Sequence, residues 1–303
     1  MTSAADAVIE RVVACVGSRM LDNAANGSSA NAATVAGFNV RRIASKCETL
    51  SASSIAVARE AARGVDVKAV VAATFSLERR FPSLAIEVAS ALGLSTSTPA
   101  FDLQMACSAY PYAVYFAANL ARDLGGSVLI VDADFQSRFL DERDVATSLV
   151  MDDAATATIL RAREGTAHYE FFSSFDTALS CPSSGPIYMN GFKVFSFVAT
   201  KVNAMLKRFS PDEYDLFVPH RANKYMVRHL AYAINAGNSL LLSDAAFANP
   251  GSASIPLTLA TEGRSGRALI AGFGAGLSAA AGIVTIDDAF TGRLIDSPVT
   301  QPE

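Results

Sequence analysis

The stretch that decides the fold reads Ala100-Phe-Asp-Leu-Gln-Met-Ala-Cys107-Ser-Ala-Tyr-Pro-Tyr-Ala-Val-Tyr-Phe116. Its apolar start predicts a strand, and the residues from Cys107 onward predict a helix that ends at Gly125-Gly126. A cysteine in the first turn of a helix lies near the positive end of the helix dipole, which favours the nucleophilic thiolate. Taken alone, Cys107 fits a buried structural cysteine better, because free cysteines are often buried.

Composition limits the class of protein that carries this segment. Of 303 residues, 51% are apolar and 18% charged, which suits a well-filled globular core. The net charge of −4 and the lack of long basic runs argue against nucleic-acid binding. The four cysteines are widely spaced, with no Cys-x-x-Cys pair, which argues against a zinc site or a disulfide scaffold and favours a reducing cytoplasm.

One uncharged segment, residues 268–286, has the length of a membrane span. Gly272, Gly274 and Gly276 divide it into two apolar runs, so we expect two buried strands around a glycine turn. The first ten residues lack the basic and apolar regions of a signal peptide. The expectation is a soluble, cytoplasmic protein that does not insert into membranes.

Strands and helices alternate along the whole chain. Buried strands are predicted at 8–16, 67–74, 100–105, 127–133, 154–160 and 214–219, followed by the two glycine-linked strands. Helices are predicted at 51–63, 82–92, 107–124, 192–208, 222–236 and around 256–261. This order predicts a layered α/β fold with two similar halves, residues 1–162 and 163–303.

Two later segments supply candidate partners for the cysteine. Leu216-Phe-Val-Pro-His220 predicts a strand ending in a histidine, and active-site residues of α/β sheets gather at such strand ends. Asn249 precedes a proline and a helix start, where its amide is a candidate donor to a thioester carbonyl. Taken alone, His220 is also consistent with a capping or packing role, and Asn249 with an ordinary turn.

The glycine turn Ala271-Gly-Phe-Gly-Ala-Gly276 is the remaining candidate. It lacks the following helix and acidic residue of a dinucleotide site, so we exclude nucleotide binding of that type. Glycines allow the backbone to approach a ligand closely, and a free N–H here would complete an oxyanion hole.

These four segments, in this order and spacing, resemble the β-ketoacyl-acyl-carrier-protein synthase III family of thiolase-fold condensing enzymes. The similarity runs from about residue 36 to the last strand and also covers four shorter segments: Gly37-Phe-Asn-Val-Arg-Arg-Ile43, Phe81-Pro82, Met151-Asp-Asp-Ala-Ala-Thr156 and Met189-Asn-Gly-Phe-Lys-Val-Phe195. The resemblance implies a thiolase-like αβαβα arrangement and a dimer, formed with a second copy or with a related subunit.

The resemblance implies a catalytic triad of Cys107, His220 and Asn249. Cys107 would take an acyl group from a primer thioester, and malonyl-acyl-carrier protein would lose CO₂ and attack that group. His220 and Asn249 would stabilise the enolate, and the N–H groups of Cys107 and Ala275 would hold the oxyanion. The implied pathway is fatty-acid or polyketide-like biosynthesis. Substrates would arrive on coenzyme A or phosphopantetheine, and no cofactor or metal is expected.

The resemblance also assigns residues around the triad. Phe81 matches a phenylalanine that crosses the dimer interface to the partner's acyl pocket, and Met189 is expected at the acyl pocket. A basic helix face is predicted from Arg221, Lys224 and Arg228. This face is interpreted either as a docking surface for an acidic carrier protein or as a solvated surface.

The chain departs from the family at the entrance for coenzyme A. The tryptophan and arginine that stack on the adenine in the family fall on Asn31 and Val35, and the chain has no tryptophan. Asparagine and valine cannot build such a clamp, which favours a carrier-bound primer or another mode of coenzyme A binding. Two alternatives stay open: acyl transfer to O, N or S without condensation, and a non-catalytic partner subunit, against which the complete triad counts.

Overall fold

The computed structural model describes residues 2–23, 37–141, 143–183, 185–243 and 245–298. Asn31 and Val35 lie outside these ranges. The strands within them are β1 Thr2–Val16, β2 Arg19–Asp22, β3 Val40–Ile43, β4 Val67–Ala73, β5 Ala100–Leu103, β6 Ser127–Phe135, β7 Asp153–Asp176, β8 Leu179–Ser180, β9 Tyr188–Met189, β10 Leu216–Pro219, β11 Gly266–Gly274 and β12 Gly276–Leu294. The helices are α1 Leu50–Ala61, α2 Leu84–Ala91, α3 Ala109–Leu124, α4 Val145–Ser148, α5 Gly191–Phe197, α6 Asn203–Leu206, α7 Lys224–Ala233 and α8 Ser254–Glu262.

Eight strands form the main sheet, in the order β10-β11-β12-β1-β7-β6-β4-β5. The pairs β4–β5, β4–β6, β10–β11 and β1–β12 are parallel, whereas β7 runs antiparallel to β6, β1 and β12. The long strands connect the two halves: β7 pairs first with β6 and β1, and its last part pairs with the start of β12.

Apolar residues on the two faces of the strands produce the layers. Helices α1 and α2 pack on one face of β4, β6 and β7. Helix α3 packs on the other face of β4 and β6, and α8 packs on β1 and β12. The same α3 and α8 cover β10 and β11, whose opposite face packs against α5, α6 and α7. The molecule therefore has five layers, in which helices alternate with strands and α3 and α8 form the middle layer. This arrangement confirms the predicted layered architecture.

The predicted boundary between residues 162 and 163 lies inside β7, a strand that was expected to end at residue 160. The polar residues after Leu160 indicate a loop by composition, but they continue the pairing with β1. Arg163 lies opposite Asp6 and forms an ion pair with it at 2.5 Å. A strand exposed on one side carries such residues without ending, so one strand is shared by both halves.

The uncharged segment 268–286 forms β11 and the first part of β12, as the sequence predicts. Among the helices within the described ranges, none combines the length and apolarity needed to cross a membrane.

Candidate active site

Cys107 lies where β5 leads into α3. Residues Ala106–Ser108 form a single 3₁₀ turn, and α3 follows directly and ends at Gly125, which has φ +65°. The Ser108 hydroxyl donates to the carbonyl of Met105 at 2.9 Å and bonds to the hydroxyl of Ser278 on β12 at 2.7 Å. These bonds fix the turn against the second half of the molecule, as expected for a rigidly held nucleophile.

The glycine turn between β11 and β12 lies directly against the cysteine. A Cβ atom on Gly274 would come within 2.8 Å of the Cys107 Cβ and 3.2 Å of its Sγ, so glycine is required for this contact. The backbone N–H groups of Cys107 and Ala275 both act on the thiol and lower its pKa. The two donors predicted for the oxyanion hole therefore converge on one sulfur atom.

The protonation state of the cysteine differs from the sequence-based expectation. Burial raises the pKa of Cys107 to about 12, and the charge of Asp134 acts in the same direction, against the two N–H groups. The thiol, not the expected thiolate, is the favoured form, because desolvation outweighs the effect of the two N–H groups on the pKa. Such a thiol has to give up its proton before it can act as a nucleophile.

His220 follows the last residue of β10 and is buried. Its backbone N–H donates to the carbonyl of Ala271 at 2.7 Å, and its ring meets the ring of Phe273 edge-on at 5.5 Å. Burial lowers the pKa of His220 to about 3, against a smaller opposite effect of a backbone hydrogen bond with Gly251. The imidazole is therefore neutral, with one nitrogen able to accept a proton and the other able to donate.

Asn249 is held by its own main chain. Its N–H donates to the carbonyl of Val150 at 2.9 Å, and its carbonyl accepts from the N–H of Asp152 at 2.9 Å. The side-chain Oδ1 accepts from the N–H of Gly251 at 3.0 Å, which leaves Nδ2 as the donor end. Because Gly251 also raises the pKa of His220, the same short turn acts on both the imidazole and the amide.

Asp134 is a site residue that the sequence analysis missed. One carboxylate oxygen accepts from the N–H of Phe75 at 3.0 Å, and the other accepts from the N–H and hydroxyl of Ser252 at 2.9 and 2.7 Å. The buried carboxylate thus ties the end of β6 to the turn that follows Asn249. Asp134 could have been found from the sequence, because it directly follows the predicted strand 127–133 and site residues gather at the ends of such strands.

A cavity of about 940 Å³ opens at Cys107 and is large enough for an acyl chain. Its deeper lining is mostly apolar and comprises Phe75, Phe139, Met151, Leu179 and Ile187, whereas Arg79, Arg80 and Phe175 lie at its exposed end. The described lining of the cavity includes Cys107 and Ala275 but neither His220 nor Asn249.

The two predicted pocket residues lie outside this lining. Met189 is half-buried and packs on the neighbouring apolar clusters, and its strand partner Leu179 lines the cavity. Phe81 is 83% exposed and does not line the cavity of its own chain, as expected for a residue that would reach a partner subunit.

Arg221 is not part of an exposed basic face, and this prediction was wrong. The side chain is only 3% exposed, and it donates to the carbonyls of Ser243 and Phe247 at 2.5 and 2.9 Å. Arg221 precedes α7 by three residues, where the chain still turns inward. Lys224 is half-buried and Arg228 is exposed, so only these two remain candidates for docking.

We expect Arg221→Ala to lower the free energy of unfolding by about 2–4 kcal/mol, because it removes two buried hydrogen bonds and a cation–π contact with Phe247. Arg228→Ala, on the same segment but exposed, should change it by less than about 0.5 kcal/mol. Urea denaturation of both variants measures the difference, and equal small losses would contradict the structural role of Arg221.

Five alternating layers with a cysteine at a buried strand-to-helix turn define the thiolase-fold class of acyl-transferring enzymes. The family descriptions 3-oxoacyl-[acyl-carrier-protein] synthase III and its C-terminal domain match residues 101–178 and 206–286. β-Ketoacyl-[acyl-carrier-protein] synthase III of Rhizobium johnstonii is 31% identical over 261 residues, 76% of this chain and 80% of that protein. The chain belongs to the 3-oxoacyl-acyl-carrier-protein synthase III family, and is thus a condensing acyltransferase.

Solved structures agree with this assignment. A 3-oxoacyl-(acyl-carrier protein) synthase from Burkholderia xenovorans LB400 superposes with a TM-score of 0.89 at 24% identity, over 97% of this chain and 98% of that one. Synthase III from Pseudomonas aeruginosa PAO1 gives a TM-score of 0.83 at 26% identity, over 93% and 98%. The predicted family, fold class and enzyme class are confirmed.

Proposed function

We propose that the protein condenses an acyl group held on Cys107 with malonyl-acyl-carrier protein, releasing CO₂ and a 3-oxoacyl product. The observation that carries this proposal is the convergence of the N–H groups of Cys107 and Ala275 on the Cys107 sulfur. Two donors at that point stabilise the negative oxygen that develops when a thioester carbonyl is attacked there. The triad, its substrates and its partners are all part of this proposal.

The first step is acylation of the thiol. The sulfur attacks the carbonyl carbon of the primer thioester while neutral His220 takes the thiol proton. The oxyanion then collapses, the thiol of the carrier leaves, and His220 returns the proton to it. The segment Ala271–Gly274 supports this assignment, because Gly274 contacts Cys107 while Ala271 and Phe273 contact His220.

The second step forms the carbon–carbon bond. The malonyl thioester loses CO₂, and the electron pair of the broken bond moves to the thioester oxygen as an enolate. Asn249 Nδ2 donates to that oxygen, and so does neutral His220 after it has changed tautomer, so that the nitrogen that took the thiol proton in the first step now carries the N–H. The enolate carbon then attacks the acyl carbonyl and releases Cys107 as the leaving group. This role suits Asn249 because its Oδ1 is already occupied by Gly251.

The partners follow from the same proposal. Acyl and malonyl groups arrive on phosphopantetheine, and an acidic carrier protein docks on the face of α7 that carries Lys224 and Arg228. Exposed Phe81 supports a dimer, formed with a second copy or a related subunit, in which it would reach the partner's cavity. A reducing cytoplasm keeps Cys107 available as a thiol.

The test is incubation with an acyl thioester and malonyl-acyl-carrier protein, followed by mass spectrometry of the carrier protein and measurement of CO₂. We expect 3-oxoacyl-carrier protein and one CO₂ for each product. Acyl transfer to the carrier without CO₂ would contradict condensation and favour a simple acyltransferase. No acyl label on the protein would favour a non-catalytic subunit.

A further inference from the structure

Gln136 is a buried polar residue on the wall of the acyl cavity. It lies in the 3₁₀ turn Gln136–Phe139 that follows β6, and it is only 2% exposed. The same cavity opens at Cys107, so an acyl group held on the sulfur lies in the space that Gln136 borders. The two catalytic steps above make no use of its side chain.

The orientation of the Gln136 amide is fixed by two carbonyl groups. Its Nε2 donates to the main-chain carbonyls of Asp152 at 3.0 Å and of Asn249 at 2.6 Å. The reversed amide would place Oε1 against both carbonyl oxygens, where no hydrogen could join them. Both N–H groups are therefore used, and Oε1 lies at the opposite side of the amide, with no partner within the described part of the chain.

The described side chains that line the deeper cavity offer Oε1 no hydrogen-bond donor. The deeper wall is built from Phe75, Phe139, Met151 and Ile187, none of which has a side-chain donor. Ser278, another buried polar residue of the lining, has one hydroxyl hydrogen, which it donates either to the carbonyl of Ala275 or to the hydroxyl of Ser108. Oε1 therefore borders the cavity without a donor from the described part of the chain, so a ligand that supplies a donor at this point gains affinity.

We propose that the acyl cavity selects an acyl group that carries a hydroxyl, which donates to Oε1 of Gln136. A neutral hydroxyl suits the site better than an ammonium group, because Glu78, the acidic residue of the lining, is paired with Arg138 at 2.7 Å. The selection rests on the proposed function, since the acyl group must first be held on Cys107.

The experiment compares acylation of Cys107 by N-acetylcysteamine thioesters of hexanoate and of 2-, 3- and 6-hydroxyhexanoate, followed by intact mass. Gln136 also bonds to the carbonyl of Asn249, so its replacement could disturb condensation, the step assigned to Asn249. Acylation is measured because it comes before that step. We expect at least one hydroxylated thioester to react at least about fivefold faster than hexanoate. In Gln136→Met that ratio should fall to within about twofold of one.

Two further variants make the result specific. Gln136→Lys keeps donors for the carbonyls of Asp152 and Asn249 but has no acceptor, so it should lose the preference as Gln136→Met does. Gln104→Met is the matched control at the exposed part of the same cavity and should keep the wild-type ratio. Equal rates for all thioesters in the wild type would overturn the selection alone, whereas no acylation by any of them would overturn the proposed function as well.

Discussion

Replacement of Cys107 by alanine is expected to abolish the acyl-enzyme and to lower the rate of product formation by at least about 1000-fold. The sulfur is the only atom of this side chain that meets the N–H groups of Cys107 and Ala275, so nothing else at this point can attack a thioester beneath both donors. Intact mass after exposure to an acyl thioester measures the first effect, and product analysis the second.

The matched control is Cys47→Ala. Cys47 lies in the loop before α1 and does not belong to the described lining of the cavity, so its loss should leave both measurements close to wild type. Cys181 does line the cavity and is a competing thiol, which peptide mapping resolves. An adduct on Cys181 and none on Cys107 in the wild type, or an unchanged product rate in Cys107→Ala, would refute the assignment of the nucleophile.

Asn249→Asp is expected to separate the two catalytic steps. Aspartate keeps an oxygen to accept from the N–H of Gly251 but replaces the Nδ2 donor by a second, negatively charged acceptor. Loss of an oxyanion donor typically costs 10²–10³-fold in rate, so condensation and CO₂ release should fall by about that factor. Acylation of Cys107 should change by less than about threefold, because its oxyanion is held by the N–H groups of Cys107 and Ala275.

Asn119→Asp serves as its control. This asparagine lies on α3 and donates to the carbonyl of Tyr115 within the same helix, so the same chemical change occurs away from the cavity. We expect neither step to respond. If Asn249→Asp lowered acylation and condensation equally, Asn249 would be a structural residue rather than an enolate donor.

The sequence contains the local signals on which the proposed triad depends. In each of three places, a few adjacent residues predict the local backbone geometry: the strand that ends at His220, the asparagine before a proline, and the glycine turn. The structure brings these segments to Cys107 through contacts of Gly274 and of the turn at Gly251. Local pattern therefore predicts which residues form the site, and the family resemblance predicts that they meet.

The missed features depend on contacts between distant segments. Asp134 binds Ser252, and Gln136 binds the carbonyl of Asn249, each more than 100 residues away along the chain. Charge pattern alone likewise does not show that Arg221 turns inward to the carbonyl of Phe247. The thiolate expected for Cys107 was wrong for a related reason: the dipole is a property of one helix, whereas burial is a property of the whole fold.

The most direct test of the account is a chase of isolated acyl-enzyme. The protein is acylated, freed of primer and mixed with malonyl-acyl-carrier protein, and the masses of both proteins are followed in time. The account predicts that the adduct on Cys107 disappears at the rate at which 3-oxoacyl-carrier protein forms, with one CO₂ released for each adduct consumed. An adduct that persists while product appears, or that is lost only to water, would contradict it.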